Sequence, residues 1–110
     1  MMQVHTSTIG DATVLSCDGR LTMVAAPTLR SAIDDAVSDG RVRVVVDLAG
    51  TSFVDSSGLG ALVAGLKRTR QAGGDLVIVC ASDRLRARFA VTGLDRAVSI
   101  AGGIAEVLTT

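Results

Sequence analysis

The sequence predicts an α/β domain built on a mixed, mostly parallel β-sheet of about five strands, with about four helices. Segments with strand-like apolar patterns alternate with segments of helical spacing through the later two thirds of the chain. Such alternation is typical of parallel strands joined by crossover helices. Two short strands at the start, separated by Gly10 and Asp11, indicate a hairpin and hence one antiparallel pair. With 110 residues and no linker or repeat, we expect one domain over residues 1–110.

The first half of the chain begins with this hairpin, whose strands are predicted at residues 3–9 and 13–18. Residues 19–21 lead out of the second strand. A helix follows, in which Pro27 suits the first turn, and Asp39 and Gly40 end it. One side of this helix is apolar and carries Leu29, Ile33, Ala36 and Val37.

The second half contains a β-branched apolar run at residues 42–48, which predicts a central strand covered on both faces. Residues 49–54 are predicted to be a loop, and a helix over about 56–71 follows. Its last turns carry Lys67, Arg68 and Arg70, which complement the helix dipole. The remaining predicted elements are a strand at 76–80, a helix that ends at Gly93, a strand at 98–100 and a helix at 103–108. The helix before Gly93 is predicted to be capped by Ser82 or Asp83 and to carry Leu85, Phe89 and Ala90 on its apolar side.

The composition excludes several classes of function. The chain has 11 basic and 11 acidic residues, and zero net charge argues against nucleic-acid binding. Aromatic residues make up 2% of the chain, so there is no platform for stacking bases. No apolar run is long enough to cross a membrane, and the first residues lack the pattern of an export signal. We therefore expect a protein of the cytosol with no membrane insertion.

The two cysteines, Cys17 and Cys80, each fall in a predicted strand. Buried, reduced thiols are the expected state in a reducing compartment. A redox pair requires the two strands to be neighbours. Two cysteines and a single distant histidine, His5, do not make a zinc site, so no metal is expected.

The most informative segment is DSSGLG at residues 55–60, which stands between the apolar run and a helix. It places Asp55 and the hydroxyls of Ser56 and Ser57 at a helix N-terminus. Free backbone N–H groups and the positive end of the helix dipole favour an anion there. A hydroxyl at this place can cap the helix, act as a nucleophile, bind phosphate or become phosphorylated.

The residues needed for catalysis or for cofactor binding are missing. Gly-x-Ser-x-Gly is absent around both serines, and nothing marks His5, in an N-terminal strand, as a catalytic base. A dinucleotide fingerprint that begins at Gly58 and Gly60 lacks its third glycine, because that position is Val63. No Lys-Ser/Thr pair follows the glycines, so a P-loop is absent too. We expect neither an enzyme nor a cofactor.

Capping and protein contact remain open for the segment. Asp55 or Ser56 is suited to cap the helix. Small residues also recur along the helix, and each glycine in a helix costs about 1 kcal/mol relative to alanine. They form either a flat surface for a partner protein or a face packed against a neighbouring part of this chain. These small residues are Gly58, Ala61 and Gly65, flanked by Gly60 and Ala64.

Phosphorylation of Ser56 is compatible with both of these roles. A phosphate adds about −1.5 to −2 charges, which the helix N-terminus tolerates. A docked partner would instead meet a bulky dianion beside Asp55. We therefore expect a switch that acts by local repulsion and desolvation at an interface.

Several segments together resemble the anti-sigma factor antagonists, the small bacterial proteins of the STAS domain family. They are GRL at 19–21, VVVDL at 44–48, FVDSSGLGAL at 53–62, GGDL at 73–76 and TGL at 92–94. The resemblance implies a STAS-type fold that binds an anti-sigma factor and so frees a sigma factor. It further implies that this anti-sigma factor is an ATP-dependent, histidine-kinase-like serine kinase, and that a PP2C-type phosphatase reverses the modification.

In this family the kinase phosphorylates the first serine of the motif, which corresponds to Ser56. The docking surface implied by the resemblance is the helix face together with the loop that begins at Ala49. We expect a monomer when the protein is free. The implied partner-binding residues are Asp55, Ser57, Gly58, Leu59, Gly60, Ala61, Ala64, Gly65 and Thr22.

The chain departs from the family pattern at Thr22, where an acidic residue is common after Gly-x-Leu. The choice of partner or the rate of phosphorylation is expected to differ accordingly. A second hypothesis is a non-catalytic STAS scaffold subunit of a stress-signalling or membrane-transport complex.

Overall fold

A computed structural model describes residues 2–108 and confirms the predicted α/β class. The chain forms a mixed sheet with helices packed on it. In chain order the elements are β1 (Gln3–Ile9), β2 (Ala12–Leu21), α1 (Ala26–Ser38), β3 (Arg43–Asp47), β4 (Thr51–Val54), α2 (Ser56–Gln71), β5 (Asp75–Val79), α3 (Asp83–Thr92), α4 (Leu94–Ala97), β6 (Ser99–Ala101) and α5 (Ile104–Leu108).

The sheet has the strand order β1-β2-β3-β5-β6, with β4 paired to β2 beyond the end of β3. Among the strand pairs of residues 2–108, β1 and β2 are antiparallel and the other pairs are parallel. The predicted central position of β3 is confirmed, since it lies between β2 and β5 and buries Val44, Val45 and Val46. Alternate residues of a strand point to opposite faces, so both faces of β3 are covered.

Most of the core lies on one face of the sheet, where α1, α2 and α3 pack against the strands. Val44 and Val46 point into this main cluster. Val45 belongs to a smaller cluster on the opposite face, where α5 contributes Val107. The apolar stripe predicted for α1 is confirmed, because Leu29, Ile33, Ala36 and Val37 are all buried.

The predicted loop at residues 49–54 is wrong for its second part, which forms β4. The end predicted for β2 is also too early, since β2 continues through Leu21. This extension passes the end of β3 and pairs in parallel with β4. The Thr51 hydroxyl donates to the Cys17 carbonyl at 2.7 Å, which fixes the start of β4 on β2. A strand of four residues has too short an apolar pattern to be distinguished from a loop.

The C-terminal third differs from the prediction in two details. Ala90 is exposed, so the apolar side of α3 consists of Leu85 and Phe89 alone. Gly93 ends α3 in the left-handed conformation, as predicted, but a further short helix, α4, follows directly. Ser82, rather than Asp83, caps α3, with its hydroxyl accepting from the Leu85 N–H at 3.3 Å.

The arrangement of the strands excludes a disulfide between Cys17 and Cys80. Cys17 lies on β2 and Cys80 directly follows β5, with β3 between them. Neighbouring strands are about 4.8 Å apart, so two steps exceed the ~7 Å Cα separation that a disulfide can span. Both thiols are free and buried. Burial, with the nearby Asp47 and Asp18 carboxylates, raises the pKa of Cys17 to about 12.

Among the helices of residues 2–108, none has the length and apolar character needed to cross a membrane.

Candidate functional site

Asp55 links the start of α2 to the loop between β2 and α1. One carboxylate oxygen accepts the Gly58 N–H at 2.8 Å, so Asp55, of the two candidates Asp55 and Ser56, caps the helix. The other oxygen accepts the Met23 N–H at 3.0 Å. The Asp55 N–H itself donates to the Leu21 carbonyl at 3.1 Å. Asp55 therefore ties the N-terminus of α2 to the chain around Leu21 and Met23.

The hydrogen bonds of Asp55 also determine its ionisation. The bond from the Gly58 N–H lowers the pKa of the carboxyl below its ordinary value of 3.8. Desolvation opposes this effect and is the second largest contribution, while the N–H groups of Met23 and Ser57 and the charge of Arg88 lower the pKa further. Asp55 is therefore an anion at neutral pH, and its proton affinity is too low for a general base.

Ser56 is the first residue of α2 and is exposed. Within residues 2–108 its hydroxyl has no hydrogen-bond partner, because Asp55 performs the capping. Ser57, the second residue, is half-buried. The cap and the accessible hydroxyl are thus separate residues, so a group added to Ser56 need not break the cap.

Three of the small residues predicted to form one side of α2 point into the domain. Gly58, Ala61 and Gly65 are buried. A Cβ at Gly58 would collide with the Leu21 carbonyl oxygen and lie 2.8 Å from Leu21 Cγ. A Cβ at Gly65 would lie 2.5 Å from Ile33 Cδ1, on α1. Of the two alternatives left open for this face, packing within the domain applies to these three residues, whose smallness permits the close contact.

The other site residues predicted on α2 are accessible. They are the exposed Ser56 and the half-buried Ser57, Leu59, Gly60 and Ala64. A Cβ at Gly60 would meet only Arg30 Nη2, at 3.6 Å, which is an ordinary contact.

Thr22 lies in the loop that Asp55 holds against α2. It is half-buried, and its carbonyl accepts the N–H groups of Ala25 and Ala26 at 2.9 and 2.8 Å. The two residues that follow, Met23 and Val24, are 69% and 80% exposed. Sequence reasoning missed this pair of large apolar side chains, although their place just before an Ala-Ala-Pro helix start was a signal for an exposed turn.

Sequence reasoning also missed an aromatic and cationic cluster beside Asp55. Phe53 on β4 lies opposite Arg20 on β2, whose Cζ is 4.7 Å from the ring centroid. Arg88 on α3 approaches the same ring at 5.3 Å. Arg88 and Val91 also line a groove of about 360 Å³ along Leu59 of α2. No sequence pattern brings these three elements together.

The geometry is that of a binding surface. The exposed Met23 and the charge of Arg88 both act on Asp55, which directly precedes the exposed Ser56. No group of three or more His, Cys, Asp or Glu side chains able to hold a metal ion occurs in the described part of the chain.

The arrangement matches a known domain family, whose STAS domain model covers residues 3–107. This chain belongs to the STAS domain family. The anti-sigma-B factor antagonist of Staphylococcus aureus is 31% identical over 93 residues, which cover 84% of this chain and 86% of the relative.

Two solved structures have the same fold as this chain. An anti-sigma factor antagonist from Mycobacterium paratuberculosis superposes with a TM-score of 0.90 at 28% identity, covering 99% of this chain and 92% of the other. The phosphorylated form of the Bacillus cell fate determinant SpoIIAA gives a TM-score of 0.74 at 22% identity, covering 99% and 97%. The second likeness shows a shared fold. The predicted STAS-type architecture is therefore confirmed.

Proposed function

We propose that this STAS domain is an anti-sigma factor antagonist, whose unphosphorylated form binds an anti-sigma factor in the cytosol and so releases a sigma factor. Its relatives from Staphylococcus aureus and Listeria monocytogenes are named anti-sigma-B factor antagonists. The surface around α2 is suited to protein contact, because Met23, Val24 and Val91 are large, apolar and exposed. The domain acts by binding and not as an enzyme.

Phosphorylation of Ser56 is proposed to switch this binding off. The observation that carries the proposal is the exposed hydroxyl without a hydrogen bond, placed next to the residue that caps the helix. The anti-sigma factor would be the kinase: the Ser56 oxygen attacks the γ-phosphorus of ATP, ADP leaves, and a base of the kinase takes the hydroxyl proton. A PP2C-type phosphatase would return the serine by hydrolysis.

The proposed docking surface consists of the accessible predicted residues and their newly recognised neighbours. Gly58, Ala61 and Gly65 support it from inside by letting α2 pack closely on α1 and β2. Asp55 holds the Met23 loop in place. The residues proposed to touch the partner are Thr22, Met23, Val24, Ser56, Ser57, Leu59, Gly60 and Ala64.

The modification is tested by incubating the chain with its cognate anti-sigma factor and ATP, and by measuring the intact mass. Wild type should gain one phosphate and Ser56→Ala none. Ser57→Ala is the matched control, since it removes the adjacent hydroxyl, and it should gain a phosphate like wild type. A phosphate on Ser56→Ala, or none on wild type, would contradict the assignment of Ser56.

A further inference from the structure

Two arginines from different parts of the fold converge on Phe53 beside the start of α2. Arg20 and Arg88 have their Cζ atoms 4.7 and 5.3 Å from the ring centroid. Stacking on an aromatic ring orients a guanidinium group while leaving its N–H donors available. Within residues 2–108 neither guanidinium forms a salt bridge or a side-chain hydrogen bond. The cluster therefore offers two oriented cations with unused donors.

The cluster borders the part of α2 that carries Ser56. Arg88 lines a groove together with Leu59. Leu59 is three residues after Ser56, and residues at this spacing are neighbours on a helix surface. On the other side of the cluster, Arg20 precedes Leu21, whose carbonyl accepts the Asp55 N–H. The charge of Arg88 also acts on the carboxyl of Asp55, the residue directly before Ser56. Arg20 stacks on the same Phe53 ring as Arg88, which places both guanidinium groups near the start of α2.

The charges around Ser56 favour an added anion. Asp55 is the neighbouring acidic group, and two backbone N–H groups already bind its oxygens. The cations facing this region are Arg20 of β2, Arg88 of α3 and Arg30 of α1, the last close to Gly60. Arginine binds phosphate through two parallel, charge-assisted hydrogen bonds.

We propose that Arg20 and Arg88 form an internal receptor for the phosphate of phosphorylated Ser56. This inference rests on the proposed function, since it requires Ser56 to be the modified residue. In the free form the two guanidinium groups are displayed on the docking surface; in the phosphorylated form they are bound to the phosphate. The switch then acts by withdrawing two cations from the surface in addition to repelling the partner.

The test uses a chain that carries phosphoserine at position 56, incorporated directly so that no kinase is needed. The second pKa of the phosphate, ordinarily about 6, is measured by ³¹P NMR titration. Bound arginines should lower it by at least about 0.5 pH unit relative to the same chain unfolded in urea. Arg88→Gln should raise it back toward the unfolded value. Arg84→Gln makes the same charge change at an exposed position of α3 and should leave it unchanged.

A phosphate pKa that is equal in wild type and Arg88→Gln would overturn the receptor, because the helix N-terminus would then account for the whole shift. Weaker binding of the anti-sigma factor by the same variant would, in that case, assign Arg88 to the partner alone. Since the phosphoserine is incorporated directly, failure of a kinase to modify Ser56 would reject the proposed function without affecting this result.

Discussion

Two glycines of α2, Gly58 and Gly60, should respond to alanine substitution with opposite changes in stability. A Cβ at Gly58 would meet the Leu21 carbonyl oxygen, Leu21 Cγ at 2.8 Å and Val54 Cγ1 at 3.0 Å. A Cβ at Gly60 would meet only the flexible end of Arg30, at 3.6 Å. Both positions lie in the first two turns of α2, so alanine brings a similar gain in helix propensity at each. The expected difference in stability therefore comes from packing.

The magnitudes follow from two opposing contributions. Overpacking a core costs about 1–3 kcal/mol, and contact with a backbone oxygen that cannot move places Gly58→Ala near 3 kcal/mol. Alanine is about 1 kcal/mol better than glycine inside a helix. We therefore expect Gly58→Ala to lower the free energy of unfolding by about 2 kcal/mol. Gly60→Ala, which gains propensity without a collision, should raise it by about 0.5–1 kcal/mol.

Urea denaturation of both variants, followed by circular dichroism, measures these differences. The slope of the free energy of unfolding against urea concentration should equal that of wild type. A shift in the urea midpoint then reports a change in stability alone. A Gly58→Ala variant as stable as wild type would refute the close packing of α2 on Leu21. A Gly60→Ala variant as unstable as Gly58→Ala would refute the exposure of Gly60.

Three further predictions concern the site and the core. The lowered pKa of Asp55 means that its stabilising contribution is present above pH 3.8 and is lost as the pH falls through the lower folded value. When the free energy of unfolding is measured against pH, Asp55→Asn should therefore lose less stability below about pH 4 than wild type does. An identical curve for the two proteins would contradict this. The pKa of about 12 and the burial of Cys17 predict negligible alkylation by iodoacetamide at pH 8 in the folded chain, with rapid labelling once urea is added; equal rates would contradict the burial. Replacing exposed Met23 and Val24 by serine should weaken anti-sigma factor binding, measured by calorimetry, while the urea midpoint stays within about 0.5 kcal/mol of wild type; unchanged affinity would remove them from the docking surface.

The sequence predicted those elements whose signals are local. The helix over 56–71 was predicted with its observed bounds, because Asp55 supplies an N-cap and the glycines at 73 and 74 follow its basic last turn. The central position of β3 followed from three consecutive valines. In contrast, β4 depends on pairing with the distant residues 19–21 of β2, and a four-residue segment gives no periodicity to predict it.

The candidate site was predicted in part. A cap at Asp55 or Ser56 was expected from helix chemistry, and the structure assigns it to Asp55, which leaves the Ser56 hydroxyl accessible. The inward direction of Gly58 and Gly65 could not be read from spacing alone, because a small-residue face suits both a partner and an adjacent helix. The stacking of Arg20 and Arg88 on Phe53 joins three elements that are distant in sequence, so only the folded structure reveals it.

The most direct test of the account is the affinity of the cognate anti-sigma factor for two forms of the chain, measured by calorimetry. One form is unmodified and the other carries phosphoserine at position 56. The phosphorylated form should bind at least about tenfold more weakly, a loss of about 1.4 kcal/mol or more. Equal affinity for the two forms would contradict the claim that Ser56 is the switch.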